Sequence, residues 1–164
     1  MTVQEPVGRR TGKTRVVEVG GSSLNFDYAH FLPSSNKCGV LHGHTASVKV
    51  GVRGEMVGDM VLEFGELKEL AKTVIKSLDH KLILSRKYVE KIVDGRAHIR
   101  FNGIGGEYFL DLPLTSVYIM DEESTAENIS AHIARRLREL MPVNVGSVYV
   151  RVSEGLGKWS IYTL

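Results

Sequence analysis

A chain of 164 residues, 43% apolar and 24% charged, has the size and composition of one globular domain around one core. Its net charge is only +2 with acidic and basic residues interspersed, and its one basic concentration is the short stretch Arg9, Arg10, Lys13 and Arg15, which argues against a nucleic-acid partner. No run of eighteen apolar residues occurs, and Met1 to Lys13 lacks the apolar centre of a signal peptide, so the expectation is a cytoplasmic protein with no membrane partner. The single cysteine, Cys38, rules out an intrachain disulfide and suits a reducing compartment.

Residues 1–13 read as a basic N-terminal tail and 14–164 as one domain. Thr14 to Val19 and Ser23 to Tyr28 have the β-branched and aromatic content of strands, separated by a bend at Gly20-Gly21. From His42 to Val52 the residues Ala46, Val48, Val50 and Val52 alternate with Thr45, Ser47, Lys49 and Gly51, which predicts a strand with one buried face. After Glu63 the period lengthens. Phe64, Leu67, Ala71, Val74, Ile75 and Leu78 then share one face of a helix, with Lys68, Glu69, Lys72 and Lys76 off it. Ala97 to Phe101 and Glu107 to Leu112 flank a glycine-rich turn and predict a hairpin within an insert at about 85–123. A second helix begins at Ser124, where Ser124 and Glu127 form a capping box, directs Ile129, Ile133, Leu137 and Leu140 inward, and stops at Pro142. Strands at Ser147 to Ser153 and Lys158 to Leu164 close the chain around Gly155 and Gly157. The expected class is α+β, an antiparallel sheet with two helices on one face, in the order β-β-α-(hairpin insert)-α-β-β.

The chemistry-bearing residues are few. His42 and His44 flank Gly43 at a strand start, and a period of two puts both imidazoles on one face. His30, at the end of the preceding strand, offers a third nitrogen, which would give a three-histidine site with the open position of a catalytic zinc. Strand-end histidines with no ligand are the plain alternative. Cys38 is open to three readings: an inert small side chain, a thiolate beside a metal-bound substrate, or a zinc ligand. Asp79-His80 closes the first helix either as a histidine meeting the helix dipole or as a base with its orienting carboxylate. Glu154 at a strand end is a solvated charge or an acceptor for two N–H groups of an amino-pyrimidinone edge. Thr125 and Glu127 are explained by helix capping alone.

Taken in order, Phe26-x-x-Ala29-His30, Cys38-x-x-x-His42-Gly43-His44, Leu78-Asp79-His80, Ser124-Thr125-x-Glu127-Asn128 and the strand-end Glu154 resemble the 6-pyruvoyltetrahydropterin / 6-carboxytetrahydropterin synthase family, over a stretch from about Phe26 to Leu164. The resemblance implies the tunnelling fold (T-fold) and Zn²⁺ held by His30, His42 and His44. It also implies a general base at Cys38 supported by Asp79 and His80, and a pterin held by Glu154 with help from Thr125. Homo-oligomeric rings, hexamer or tetramer, with active sites shared between subunits are implied as well, so that Asp79 and His80 of one subunit complete Cys38 of the next.

The three-residue gap between Cys38 and His42 resembles the 6-carboxytetrahydropterin synthases of the deazapurine (queuosine and archaeosine precursor) pathway, whereas pyruvoyl-forming members have a longer gap. The expected reaction is therefore conversion of 7,8-dihydroneopterin triphosphate to 6-carboxy-5,6,7,8-tetrahydropterin with triphosphate elimination. Its rivals are the pyruvoyl product, side-chain cleavage to 6-hydroxymethyldihydropterin, and a non-catalytic metal-binding assembly module. The segment Ser85 to Glu123 is longer than the family's link between helices and has no assigned role.

Overall fold

The computed structural model describes residues 10–164. Residues 1–9 of the expected tail lie outside the described residues, and 10–13 open the first strand, β1 (Arg10–Val19). There follow β2 (Phe26–His30), β3 (His42–Ala46), β4 (Val48–Val57), α1 (Phe64–Ile75), β5 (Lys81–Ser85), β6 (Val89–Val93), β7 (Arg96–Gly103), β8 (Gly106–Pro113), β9 (Val117–Met120), α2 (Ala126–Arg138), β10 (Val145–Ser153) and β11 (Trp159–Thr163).

Strands β1, β4, β10 and β11 pair in that order as an antiparallel sheet. Alternation along β4 and β10 sends Val48, Val50, Val52, Val148, Val150 and Val152 to one buried face. Leu67, Ala71 and Ile75 of α1 and Ile129, Ile133 and Leu137 of α2 join the same core. Phe64 departs from the expected helix face and is 62% exposed. As the first residue of α1 it sits at the helix end and lines an open cleft with Val16, Val17 and Met60 instead of entering the core.

The cap of α2 is also displaced by one residue from the expected Ser124–Glu127 box. Thr125 is the cap, its Oγ1 accepting from the Asn128 N–H at 3.3 Å. The shift leaves Ser124 wholly buried, with its carbonyl free to accept from His30.

A second sheet, in the order β3-β2-β5-β9, is mixed: β2 and β3 are antiparallel, whereas β5 runs parallel to both β2 and β9. Between β3 and β4 the chain passes from one sheet to the other at Ser47. Its N–H donates to Ser153 Oγ at 3.0 Å and its carbonyl accepts from the Ser153 N–H at 3.0 Å. The insert holds a three-stranded antiparallel sheet, β6-β7-β8, so the expected hairpin gains a third strand. The extra turn is Asp94-Gly95, with φ of 50° and 71°, the left-handed pair that a two-residue hairpin turn requires. A second apolar cluster, built on Phe31, Leu82, Leu84, Ala97, Ile99, Phe101 and Val117, joins the insert to the mixed sheet.

Candidate active site

Register builds the site. Along the antiparallel pair β2–β3, His30 stands opposite His42 and Tyr28 opposite His44. Directly opposed residues share a face, and so do residues two apart on one strand, so the three imidazoles converge. Ring centroids are 4.5 Å apart for His30–His42, 5.1 Å for His30–His44 and 4.9 Å for His42–His44. One nitrogen from each ring lies within 4.8 Å of the others, an arrangement able to hold a metal ion.

The hydrogen bonds fix which nitrogens are free. Nδ1–H of His30 donates to the Ser124 carbonyl and Nδ1–H of His42 to the Val40 carbonyl, each at 2.7 Å. A carbonyl only accepts, so in the neutral rings both Nε2 atoms carry lone pairs, and these face each other at 3.1 Å. Burial pushes the imidazoles of His30 and His44 below their ordinary pKa and favours the neutral form. Two lone pairs at that distance repel unless a cation sits between them. Two nitrogens on a tetrahedral ion at about 2.0–2.1 Å would be roughly 3.3 Å apart, so the spacing fits. Backbone carbonyls that accept from Nδ1 in this way are also the partners that orient histidines at metal sites in general.

Tyr28 connects this cluster to Glu154. Its ring lies edge-on to His30 at 5.2 Å and against His44 at 5.7 Å, and its hydroxyl donates to Glu154 Oε1 at 3.1 Å. Burial first, and then the charge of Glu154, push the phenol far above its ordinary pKa, so it stays a donor. Glu154 lines a cavity of about 280 Å³ with Thr125, Glu127 and Lys158, at the N-terminus of α2. The expected pterin residues Glu154 and Thr125 are therefore brought together, beside the histidines.

Cys38 is half-buried in the loop between β2 and β3. Its sulfur does not join the cluster of candidate ligand atoms formed by His30, His42 and His44. Asp79 and His80 are placed elsewhere. They precede β5 beside Asp27, at the end of β2 remote from His30: Asp79 Oδ1 accepts from the Asp27 N–H at 3.0 Å and lies 2.9 Å from His80 Nδ1. Partial burial opposes ionisation of Asp79, but the bonds from Asp27 and His80 outweigh it and hold the carboxyl below its ordinary pKa. The His80 side chain is 76% exposed, and among the described residues no contact joins it to Cys38. A contact this exposed adds at most about 1 kcal/mol, so stability gives little reason for it.

The model of the family described as 6-pyruvoyl tetrahydropterin synthase matches residues 22–164. The chain belongs to that family. A Pyrococcus abyssi protein, provisionally named as a 6-carboxy-5,6,7,8-tetrahydropterin synthase, is 38% identical over 143 residues, 85% of each chain. A Rickettsia conorii protein named 6-carboxy-5,6,7,8-tetrahydropterin synthase is 29% identical over 118 residues, 70% of this chain and 75% of its own. Among solved structures, the 6-pyruvoyltetrahydropterin synthase of Plasmodium vivax superposes with a TM-score of 0.78 at 26% identity over 93% of this chain and 98% of its own. That of Plasmodium falciparum gives 0.77 at 28% identity over 92% and 98%.

Membership in the 6-pyruvoyl tetrahydropterin synthase family makes the chain an enzyme of lyase type with the T-fold. No helix among the described residues is long and apolar enough to cross a membrane. The sequence reading missed two residues at the site, Tyr28 and Lys158. Tyr28 carried a usable signal, since Phe26, Tyr28 and His30 share one face of β2 by the period of two. Lys158 had none, because a lysine next to a glycine turn reads as a solvated charge.

Proposed function

We propose that the chain is a zinc-dependent 6-carboxy-5,6,7,8-tetrahydropterin synthase acting on 7,8-dihydroneopterin triphosphate. Triphosphate is eliminated, one water is taken up, and the two terminal side-chain carbons leave as acetaldehyde, giving a precursor for deazapurines. The observation that carries this reading is the convergence of His30, His42 and His44 beside the Tyr28–Glu154 pair. That convergence supports a cation site and an acceptor for the pterin edge within one reach.

His30, His42 and His44 would hold zinc with an open position, where the ion supplies Lewis-acid polarisation of the substrate's side-chain hydroxyls. Cys38, as thiolate, takes a proton from a side-chain carbon and returns one. Glu154 accepts from the ring's amino and amide N–H groups, and the Tyr28 hydroxyl on Oε1 fixes its rotation. Thr125 holds the start of α2 against the ring.

Glu154→Gln keeps the size but removes the charge, so it is expected to weaken pterin binding by about 1.5–3 kcal/mol, measured by titration with a substrate analogue. Unchanged affinity would return Glu154 to the class of solvated strand-end charges.

Asp79 and His80 belong, in this reading, to the site of a neighbouring copy. Among the described residues the outer edges of β1 and β11 pair with no other strand, and Val16 and Ile161, 56% and 65% exposed, lie on them, which supports joining of copies edge to edge in a tetrameric or hexameric ring.

The names of the relatives and the Cys38–His42 gap favour the carboxy product, while the Plasmodium neighbours favour the pyruvoyl one. Mass analysis after incubation with dihydroneopterin triphosphate decides between them. The expected result is 6-carboxytetrahydropterin with acetaldehyde and triphosphate in equal amounts. A pyruvoyl product, or hydroxymethyldihydropterin, overturns the assignment.

A further inference from the structure

We infer that the inserted sheet of β6, β7 and β8 is the backing of the cysteine loop, and that Gly103 and Ile104 at its tip are positioning residues for Cys38. The inference rests on the role proposed above for that thiol. The loop from Phe31 to Leu41 closes on itself, Leu32 N–H donating to the Cys38 carbonyl at 2.6 Å and Gly39 N–H to the Ser35 carbonyl at 3.0 Å. What it rests on is the turn between β7 and β8. A Cβ added to Gly39 would lie 3.2 Å from Ile104 Cγ1, and one added to Gly103 would lie 2.2 Å from the Gly39 carbonyl oxygen. Backbone therefore meets backbone one residue from Cys38, and only glycine permits the approach on the Gly103 side.

The turn is itself held in place. The Tyr108 hydroxyl donates to the Ile104 carbonyl at 3.0 Å. Phe101 is stacked between Phe31 and Tyr108, with centroids 3.5 Å and 4.6 Å apart and planes within 6° in both pairs. Phe31 follows His30 directly, and successive side chains leave a strand on opposite faces. The insert thus grips the chain at Phe31, just beyond one histidine, and again at Gly39, just beyond the thiol. A misplacement of about 1 Å at a reacting group costs on the order of 10² in rate, so this support is large enough to matter for turnover.

The test compares Ile104→Ala, Gly103→Ala, Ile104→Val and Phe109→Ala by steady-state kinetics, metal content and the alkylation rate of Cys38 by iodoacetamide without substrate. Ile104 is 46% exposed, so its truncation leaves the core intact. Phe109, 56% exposed on the other face of β8, is the control. Ile104→Ala is expected to lower kcat about tenfold and to change the alkylation rate several-fold, with KM and metal content unchanged. Gly103→Ala should do more, Ile104→Val should restore most of the loss, and Phe109→Ala should change nothing. Wild-type kcat and alkylation in both Ile104→Ala and Gly103→Ala would overturn the inference, as would an equal loss in Phe109→Ala. Full turnover by Cys38→Ala would refute the base assignment alone, and the alkylation rates would still decide whether the insert sets the loop.

Discussion

Replacing Cys38 by alanine is expected to lower turnover by about 10²–10⁴ while zinc content and pterin affinity stay at wild-type levels, since general-base catalysis contributes about that factor. The two halves of the expectation have separate grounds. Metal content should hold because the three histidine nitrogens already lie within 4.8 Å of one another without the sulfur. Turnover should fall because the thiol is half-buried in the loop that joins the strands carrying His30 and His42. The same variant tests the shared site. If Asp79 and His80 serve Cys38 of a neighbour, mixed rings of Cys38→Ala and His80→Ala subunits will contain some intact sites and regain a fraction of wild-type activity. Loss of zinc from Cys38→Ala would make the sulfur a ligand, and full activity would remove it from the mechanism.

His42→Ala should lose most of the bound metal and at least roughly 10²-fold in turnover, because a Lewis acid is worth several kcal/mol and each 1.36 kcal/mol is tenfold in rate. His42 is the cleaner probe of the cluster. His30 is wholly buried, and its removal would also strand the Ser124 carbonyl at a cost of about 1–3 kcal/mol, mixing folding with metal binding. Restoring metal with excess zinc should rescue His42→Ala only in part, since two nitrogens remain. Wild-type zinc content in this variant would take His42 out of the site.

The parts of the fold legible in the sequence are those with a clean period. Val48, Val50 and Val52 alternate with polar neighbours and lie in the core, and the His42-Gly43-His44 pair shares a face for the same reason. Strands β5 and β9 were not readable. Leu82, Ile83 and Leu84 are all buried, so β5 has apolar residues on both faces and no alternation to detect. Strand β6 is mostly exposed and carries little pattern, though Asp94-Gly95 was a turn signal that could have revealed it. The cap of α2 was misplaced because Ser124 and Thr125 are both good caps, and only the carbonyl needed by His30 separates them. Asp79 and His80 could be named but not positioned. Spacing within one chain carries no information on which copy a side chain serves.

The most direct test of the account is to titrate zinc into chelator-treated protein while following turnover of dihydroneopterin triphosphate. Activity is predicted to rise from near zero in proportion to added zinc and to break at one zinc per subunit, whereas His42→Ala regains only part of its activity, at excess zinc and without that break. Undiminished turnover by the metal-free protein would contradict it.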